Sequence, residues 1–246
     1  MTVFGRKPVL EALCDERLTV DKVIVADTAR GPAVREITDA AARRGVTVSR
    51  ATAHRVKVLA GNGKQDQGVL ADVVAPRMRR LADALASARP AHVLLLDGIT
   101  TPANVGMILR TATAAGVDGI VVPRRGVAGI DPLVIKASAG VAFHAPVLRC
   151  ATAAEAAESL RAAGYPLVGL TADTRRSIFS ADLPERAAFV LGGETHGVSA
   201  EVRGQVTHWV SIPMAGGVES LNVASAAAVL CFELVRRFHP NGWTVT

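Results

Sequence analysis

Val93-Leu94-Leu95-Leu96-Asp97-Gly98-Ile99-Thr100-Thr101-Pro102-Ala103-Asn104-Val105-Gly106 runs from an unbroken apolar segment through a short polar loop into the start of a helix. An apolar run without alternation marks a strand buried on both faces, which is how strands of parallel sheets read. Thr101-Pro102 announces the helix, since Thr can cap free amides and Pro fits the first turn. Beyond it Val105, Ile108, Leu109, Ala112 and Ala115 recur at helical spacing.

The same unit of strand, loop and helix continues downstream. Strands are expected at 119–122, 167–170, 188–191 and 209–212, and helices at 151–163 and 221–237. This alternation predicts an α/β fold with a parallel sheet covered by helices on both faces. Upstream, a helical pattern from Pro8 to Glu16, an apolar run Val23 to Ala26, a helix from Ala33 to Arg44 and Val46-Thr47-Val48 form a smaller α/β unit. It closes with a strand from Gly68 to Val74 after the polar loop Gly61 to Gln67. Pro76 and the basic Arg77 to Arg80 then mark a boundary. Three segments are therefore expected: an N-terminal domain at 1–74, a linker at 75–90 containing a short helix, and a larger domain at 91–246.

Composition excludes several classes. The chain has 246 residues, 50% of them hydrophobic, enough to build a core without metal or cross-links. Cys14, Cys150 and Cys231 are odd in number and lack CxxC spacing, so they read as reduced thiols, at least two of them in the core. The His residues show no ligand spacing, and no metal is expected. The mean hydropathy of +0.30 comes from Ala and Val spread along the chain, and no segment approaches the ~20 apolar residues of a membrane span. The N-terminus meets Arg6 and Lys7 at once, unlike a signal peptide, which gives a cytoplasmic reading. Lys and Arg number 28 against 22 Asp and Glu, a formal charge of +6. Most of the cations are Arg, in pairs such as Arg43-Arg44, Arg124-Arg125, Arg175-Arg176 and Arg236-Arg237. A planar guanidinium fork suits phosphate, so the balance favours a nucleic-acid partner, with compositional bias as the plainer account.

Three loops in the second half are too particular to be connectors. The first is Asp97 to Gly106, leading into the helix that bears Arg110. Arg110 falls about 140° from Val105 on the helical wheel, away from the apolar stripe, so a solvated surface side chain is its simplest reading. The second is Gly192-Gly193-Glu194-Thr195-His196-Gly197-Val198-Ser199, a Gly-rich turn off a strand with Ser199 placed to cap the next helix. It is neither GxGxxG nor a P-loop. The third is Ile212-Pro213-Met214-Ala215-Gly216-Gly217-Val218-Glu219-Ser220-Leu221-Asn222-Val223, in which Ser220 or Asn222 would cap the last helix. Ligands of open α/β sheets bind beyond the carboxyl ends of strands, where all three loops lie.

Together the three loops resemble the three motifs of the SpoU, or TrmH, family of RNA ribose 2′-O-methyltransferases in the SPOUT superfamily. Asn104-Val105-Gly106 with Arg110 matches the first, Gly192 to Gly197 the second, and Ile212-Pro213-Met214 with Ser220-Leu221-Asn222-Val223 the third. Phe4 to Val9 and Asp66 to Ala71 are similar to the opening and closing of the family's optional substrate-binding domain, which is itself similar to small ribosomal RNA-binding proteins. Gly193, Ala224 and Asp66 stand where the family usually has Asn, Ser and His. The layout is most similar to the branch that methylates a guanosine of 23S rRNA.

The resemblance implies a SPOUT-type sheet with a C-terminal trefoil knot, S-adenosylmethionine as cofactor, RNA as substrate, and a homodimer formed through the catalytic domain. It implies catalytic roles for Arg110, Asn104, Glu194, Ser220 and Asn222, with Glu194 as a partner for Arg110 or bound ribose. It implies a cofactor cradle of Thr171, Leu191, Gly192, Gly193 and Gly197, completed by Ile212, Met214, Ser220 and Leu221. Arg110 is expected to stabilise the developing alkoxide, because a guanidinium is normally locked in its charged form. Transfer RNA, a ribosomal site linked to antibiotic resistance, and a non-catalytic assembly role stay as alternatives.

Overall fold

A computed structural model of the chain describes residues 1–61, 66–75, 77–87 and 89–239. Residues 62–65 of the expected polar loop, Pro76 at the expected boundary, residue 88 of the linker and 240–246 lie outside them. Two sheets organise the rest.

The first is a four-stranded mixed sheet. Strands β1 (Thr2–Phe4), β2 (Thr19–Ala26), β3 (Thr47–Ala51) and β4 (Val69–Val74) stand in the order β1-β4-β2-β3, with only β2 and β3 parallel. Helices α1 (Arg6–Cys14) and α2 (Pro32–Arg43) pack on each other and bury Val9, Leu13, Val34 and Ile37. A third helix, α3 (Ala53–Leu59), is capped by Thr52, whose side chain accepts from the Arg55 amide. Neither β1 nor α3 was legible in the sequence: three residues carry no period, and α3 buries only Val56.

The second sheet has seven parallel strands. They are β5 (Arg79–Arg80), β6 (His92–Asp97), β7 (Gly119–Pro123), β8 (Val147–Cys150), β9 (Leu167–Leu170), β10 (Ala187–Gly192) and β11 (His208–Val210), in the order β11-β9-β10-β6-β7-β8-β5. All six residues of β6 are buried, as the unbroken run predicts. Leu94 and Leu96 face a core under helices α5 (Pro102–Ala114), α6 (Pro132–Ala137) and α9 (Val223–Phe238). Val93 and Leu95 face a second core under α4 (Leu81–Ser87), α7 (Ala153–Ala162) and α8 (Ala200–Arg203). Fully burying such a side chain stabilises by roughly 1.5–3 kcal/mol, so a charge within Val93 to Leu96 would be severe.

Some local expectations are corrected. Thr101 and Ser199 precede helices, but neither side chain makes a capping hydrogen bond. Of the three thiols only Cys231 is buried, while Cys150 is half-buried and Cys14 exposed. The short helix of the linker is present as α4, but β5, α6 and β8 were not anticipated. Among the described residues no helix is long and apolar enough to cross a membrane, and no cluster of three or more ligating side chains could hold a metal ion.

Candidate active site

The carboxyl ends of β9, β10 and β11 open into a cavity of about 340 Å³, within the usual range for a small-molecule site of roughly 300–1,000 Å³. Its walls come from the segments Leu170 to Asp173, Leu191 to Val198 and Ile212 to Val223, so two of the three motif loops meet there. All nine residues expected to cradle a cofactor line it: Thr171, Leu191, Gly192, Gly193, Gly197, Ile212, Met214, Ser220 and Leu221.

Backbone packing dictates the glycines. The amides and carbonyls of Gly193 and Gly197 bond reciprocally at 3.0 and 2.9 Å, and Gly197 has a φ of +63°, a region that side chains disfavour. A Cβ on Gly193 would strike the Gly98 carbonyl, and one on Gly192 would strike the backbone of Gly197 and Val198. The Gly-rich turn is thus pressed onto the first motif loop. Asp97, buried at the end of β6, secures it by accepting from the Ser199 amide at 2.7 Å. Sequence reading assigned Asp97 no role, although a carboxylate ending an apolar strand is a signal that a backbone donor awaits it.

A polar triangle ties the three loops together. Asn104 Nδ2 donates to Glu194 Oε1 at 2.8 Å, and Asn222 Nδ2 donates to the same oxygen at 2.8 Å and to Asn104 Oδ1 at 3.1 Å. Asn222 Oδ1 caps α9 by accepting from the Ala224 and Ser225 amides. One residue thereby ends a loop, starts a helix and joins the other two motifs. Gly106 serves packing instead: a Cβ there would meet Ala137 Cβ at 2.5 Å and the Val134 carbonyl oxygen at 2.7 Å, so it sets the approach of α5 to α6.

Arg110 is elsewhere. It is exposed on α5, six residues and about 120° round the helix from Asn104. Among the described residues it makes no hydrogen bond or ion pair, so the expected pairing with Glu194 is replaced within one chain by the two amide donors. Ser220 lines the cavity without capping α9, and Asn222 reaches Asn104 and Glu194, not Arg110. Sequence reading gave no role to four further ionisable groups on the wall, Asp173, His196, Arg203 and Glu219. Arg203 stacks over the Trp209 ring at 4.9 Å, and Gly169 leaves space for that ring.

Residues 91–232 match the SpoU rRNA methylase family model, and residues 2–79 match the model for RNA 2′-O ribose methyltransferase substrate binding. The chain belongs to the SpoU rRNA methylase family. It is an RNA methyltransferase with a substrate-binding module ahead of its methylase portion. Among SpoU relatives it is 34% identical to the 23S rRNA (guanosine-2′-O-)-methyltransferase RlmB of Xanthomonas axonopodis pv. citri, over 96% of each chain. It is 33% identical, again over 96% of each, to a protein of Staphylococcus saprophyticus assigned to the TrmH family of tRNA/rRNA methyltransferases. The solved SpoU methyltransferase AviRb of Streptomyces viridochromogenes, in complex with AdoMet, superposes with a TM-score of 0.67 at 28% identity, covering 98% of this chain and 91% of that one.

Proposed function

We propose that this SpoU methyltransferase transfers a methyl group from S-adenosylmethionine to the ribose 2′-hydroxyl of a guanosine in 23S rRNA. The observation that carries the reading is the cavity at the carboxyl ends of β9, β10 and β11, with the Asn104–Glu194–Asn222 triangle bordering it at Glu194. Its donor set suits this cofactor. Leu191, Ile212 and Leu221 give apolar walls for an adenine, the glycine backbones allow close approach, Arg203 can meet a carboxylate, and Asp173 and Glu219 complement positive charge.

When bound, the cofactor supplies an electrophilic methyl group on a sulfonium. The chain's own residues must bring the ribose into line, take up the developing charge and keep water away. Glu194 Oε1 is held by two amides, which leaves Oε2 to accept from a ribose hydroxyl. Arg110 carries a permanent positive charge that lowers the cost of an alkoxide and orients the adjacent phosphate. Ser220 contributes a hydroxyl at the mouth of the same cavity.

The segment after β9 supports a knotted C-terminus. Residues 171–186 meet the residue that follows β11, where the Ile178 amide donates to the Ser211 carbonyl at 2.8 Å, and meet α9 through Arg237, which donates to the Ile178 and Ala181 carbonyls. A loop through which the last helix is threaded makes such contacts on both sides. A homodimer is supported by exposed Met107 and Phe232 on α5 and α9, which pack on each other; covering this surface with a second copy would also take Arg110 out of bulk water. Residues 1–74 serve as the RNA-selecting domain, 75–90 as linker and 91–246 as catalytic domain.

Incubating the pure protein with labelled S-adenosylmethionine and unmodified ribosomal and transfer RNA, followed by mapping of 2′-O-methyl positions, tests this reading. A single labelled guanosine in 23S rRNA is expected. Label in transfer RNA would overturn the substrate, and label on a base would overturn the chemistry.

A further inference from the structure

Arg124, from one of the arginine pairs noted in the sequence, lines a second cavity on the far side of β6 from the first. Beyond the carboxyl ends of β7 and β8, a cavity of about 350 Å³ is lined by Arg80, Arg124, Arg149, Cys150 and Glu155. Three of the five are already engaged. Asp83 chelates Arg80 at 2.8 and 3.0 Å, and Glu155 accepts from the Ala151 amide at 3.1 Å. Cys150 is no nucleophile, since burial pushes its thiol up to about 11 and its Sγ donates to the Thr152 carbonyl.

Arg124 and Arg149 differ from these. Among the described residues neither guanidinium makes a hydrogen bond or ion pair, and Arg149 Nη1 is buried with no partner at all. A buried, unsatisfied cationic donor costs more than a neutral one and calls for an occupant. Burial and the like charge of Arg124 both act against the charged form of Arg149, and an anion between them would relieve both.

From these observations we infer that Arg124 and Arg149 form a phosphodiester-binding site for the RNA substrate. The site lies on the same edge of the sheet as the proposed cofactor cavity, because the carboxyl ends of parallel strands share an edge. β8 is three strands from β10, about 14 Å at ~4.8 Å per strand, a span that a short run of RNA crosses. A guanidinium fork and a second cation match the paired oxygens of a phosphodiester. The site would hold RNA backbone beside the target nucleotide without reading its sequence. The inference rests on the proposal that RNA is methylated at the cofactor cavity.

The test compares the full-length protein with Arg124→Ala, at an exposed position, and Arg149→Met, which keeps the aliphatic bulk. RNA affinity is measured without cofactor against a ribosomal RNA transcript over a salt series, beside S-adenosylmethionine affinity and melting temperature. Each variant should bind RNA about 3–10-fold more weakly, and the salt slope should fall by about one for a lost phosphate contact. Cofactor affinity should be unchanged, and Arg149→Met should melt no lower than the parent. Unchanged RNA affinity and slope in both variants would overturn the inference. So would a lowered melting temperature of Arg149→Met with normal RNA binding, which would make the residue structural. Inorganic phosphate that stabilises the parent but not Arg149→Met, with RNA binding intact, would assign the site to free anions and overturn its RNA role. Because binding is read without methyl transfer, failure of the parent to methylate RNA would count against the proposed function and leave this test standing.

Discussion

The loop cluster around Glu194 and the arginine-bearing surfaces at Arg110, Arg124 and Arg149 treat polar groups in opposite ways. In the first, Asn104, Glu194 and Asn222 satisfy one another, Asp97 holds the Ser199 amide, and glycines press loop against loop. In the second, guanidiniums stand without protein partners among the described residues. Paired groups fix a shape before a ligand arrives, and unpaired ones keep their interaction energy for the ligand. Substitutions in the first region should therefore cost stability, and substitutions in the second should cost function alone.

Arg110→Ala gives the largest expected effect. Single-turnover methyl transfer should fall by orders of magnitude, about 10²-fold or more, while cofactor affinity and melting temperature stay at parental values. Unchanged transfer would return Arg110 to an ordinary solvated side chain. Gly192→Ala comes next, because the added methyl meets the backbone of Gly197 and Val198 and forces the Gly-rich turn open. Cofactor binding should be lost, with destabilisation of about 1–3 kcal/mol for an overpacked site, read by calorimetry and denaturant melts. Asn222→Ala removes the cap of α9, about 1 kcal/mol, and also strips Glu194 of a donor. Its destabilisation should exceed that of a cap alone, and a loss no larger than a simple cap would break the triangle's claim to act as a unit.

The smallest effect concerns pH. Asp15 is another paired carboxylate, bound by Arg17 at 3.0 Å and by His144 across the two sheets at 2.6 Å. The Arg17 guanidinium first, and His144 after it, hold its carboxyl well below the usual aspartate range. A carboxylate depressed on folding stabilises above its unfolded value and loses that contribution as pH falls through its folded one. Parent and Asp15→Asn should thus differ in melting temperature at neutral pH and converge as the pH drops below about 4. A constant difference across that window would remove the ion pair from the balance.

The sequence made the large sheet legible because its central strand is buried on both faces and reads as an unbroken run. Helix starts read less well: Thr101 and Ser199 have the right side chains but make no capping bond, and Asp97 holds the Ser199 amide instead. β5 and α6 escaped because two and six residues carry too little periodicity. At the site, all nine expected cradle residues line one cavity, since motif loops on neighbouring strand ends converge by topology. The triangle was only half legible. Asn104, Glu194 and Asn222 were all expected at the catalytic site, but the bond from Asn222 to the other two depends on how the last helix returns across the sheet. Arg149 was invisible as a ligand group, because only the structure shows that its Nη1 is buried and unpaired.

Hydrogen exchange with and without S-adenosylmethionine tests most directly whether the cofactor sits where the three strands end. Protection on binding should be confined to amides in 171–173, 192–198 and 212–222, with no change at Arg124, Arg149 or the first sheet. Protection centred on β7 and β8, or none within 192–198, would contradict the assignment of this cavity.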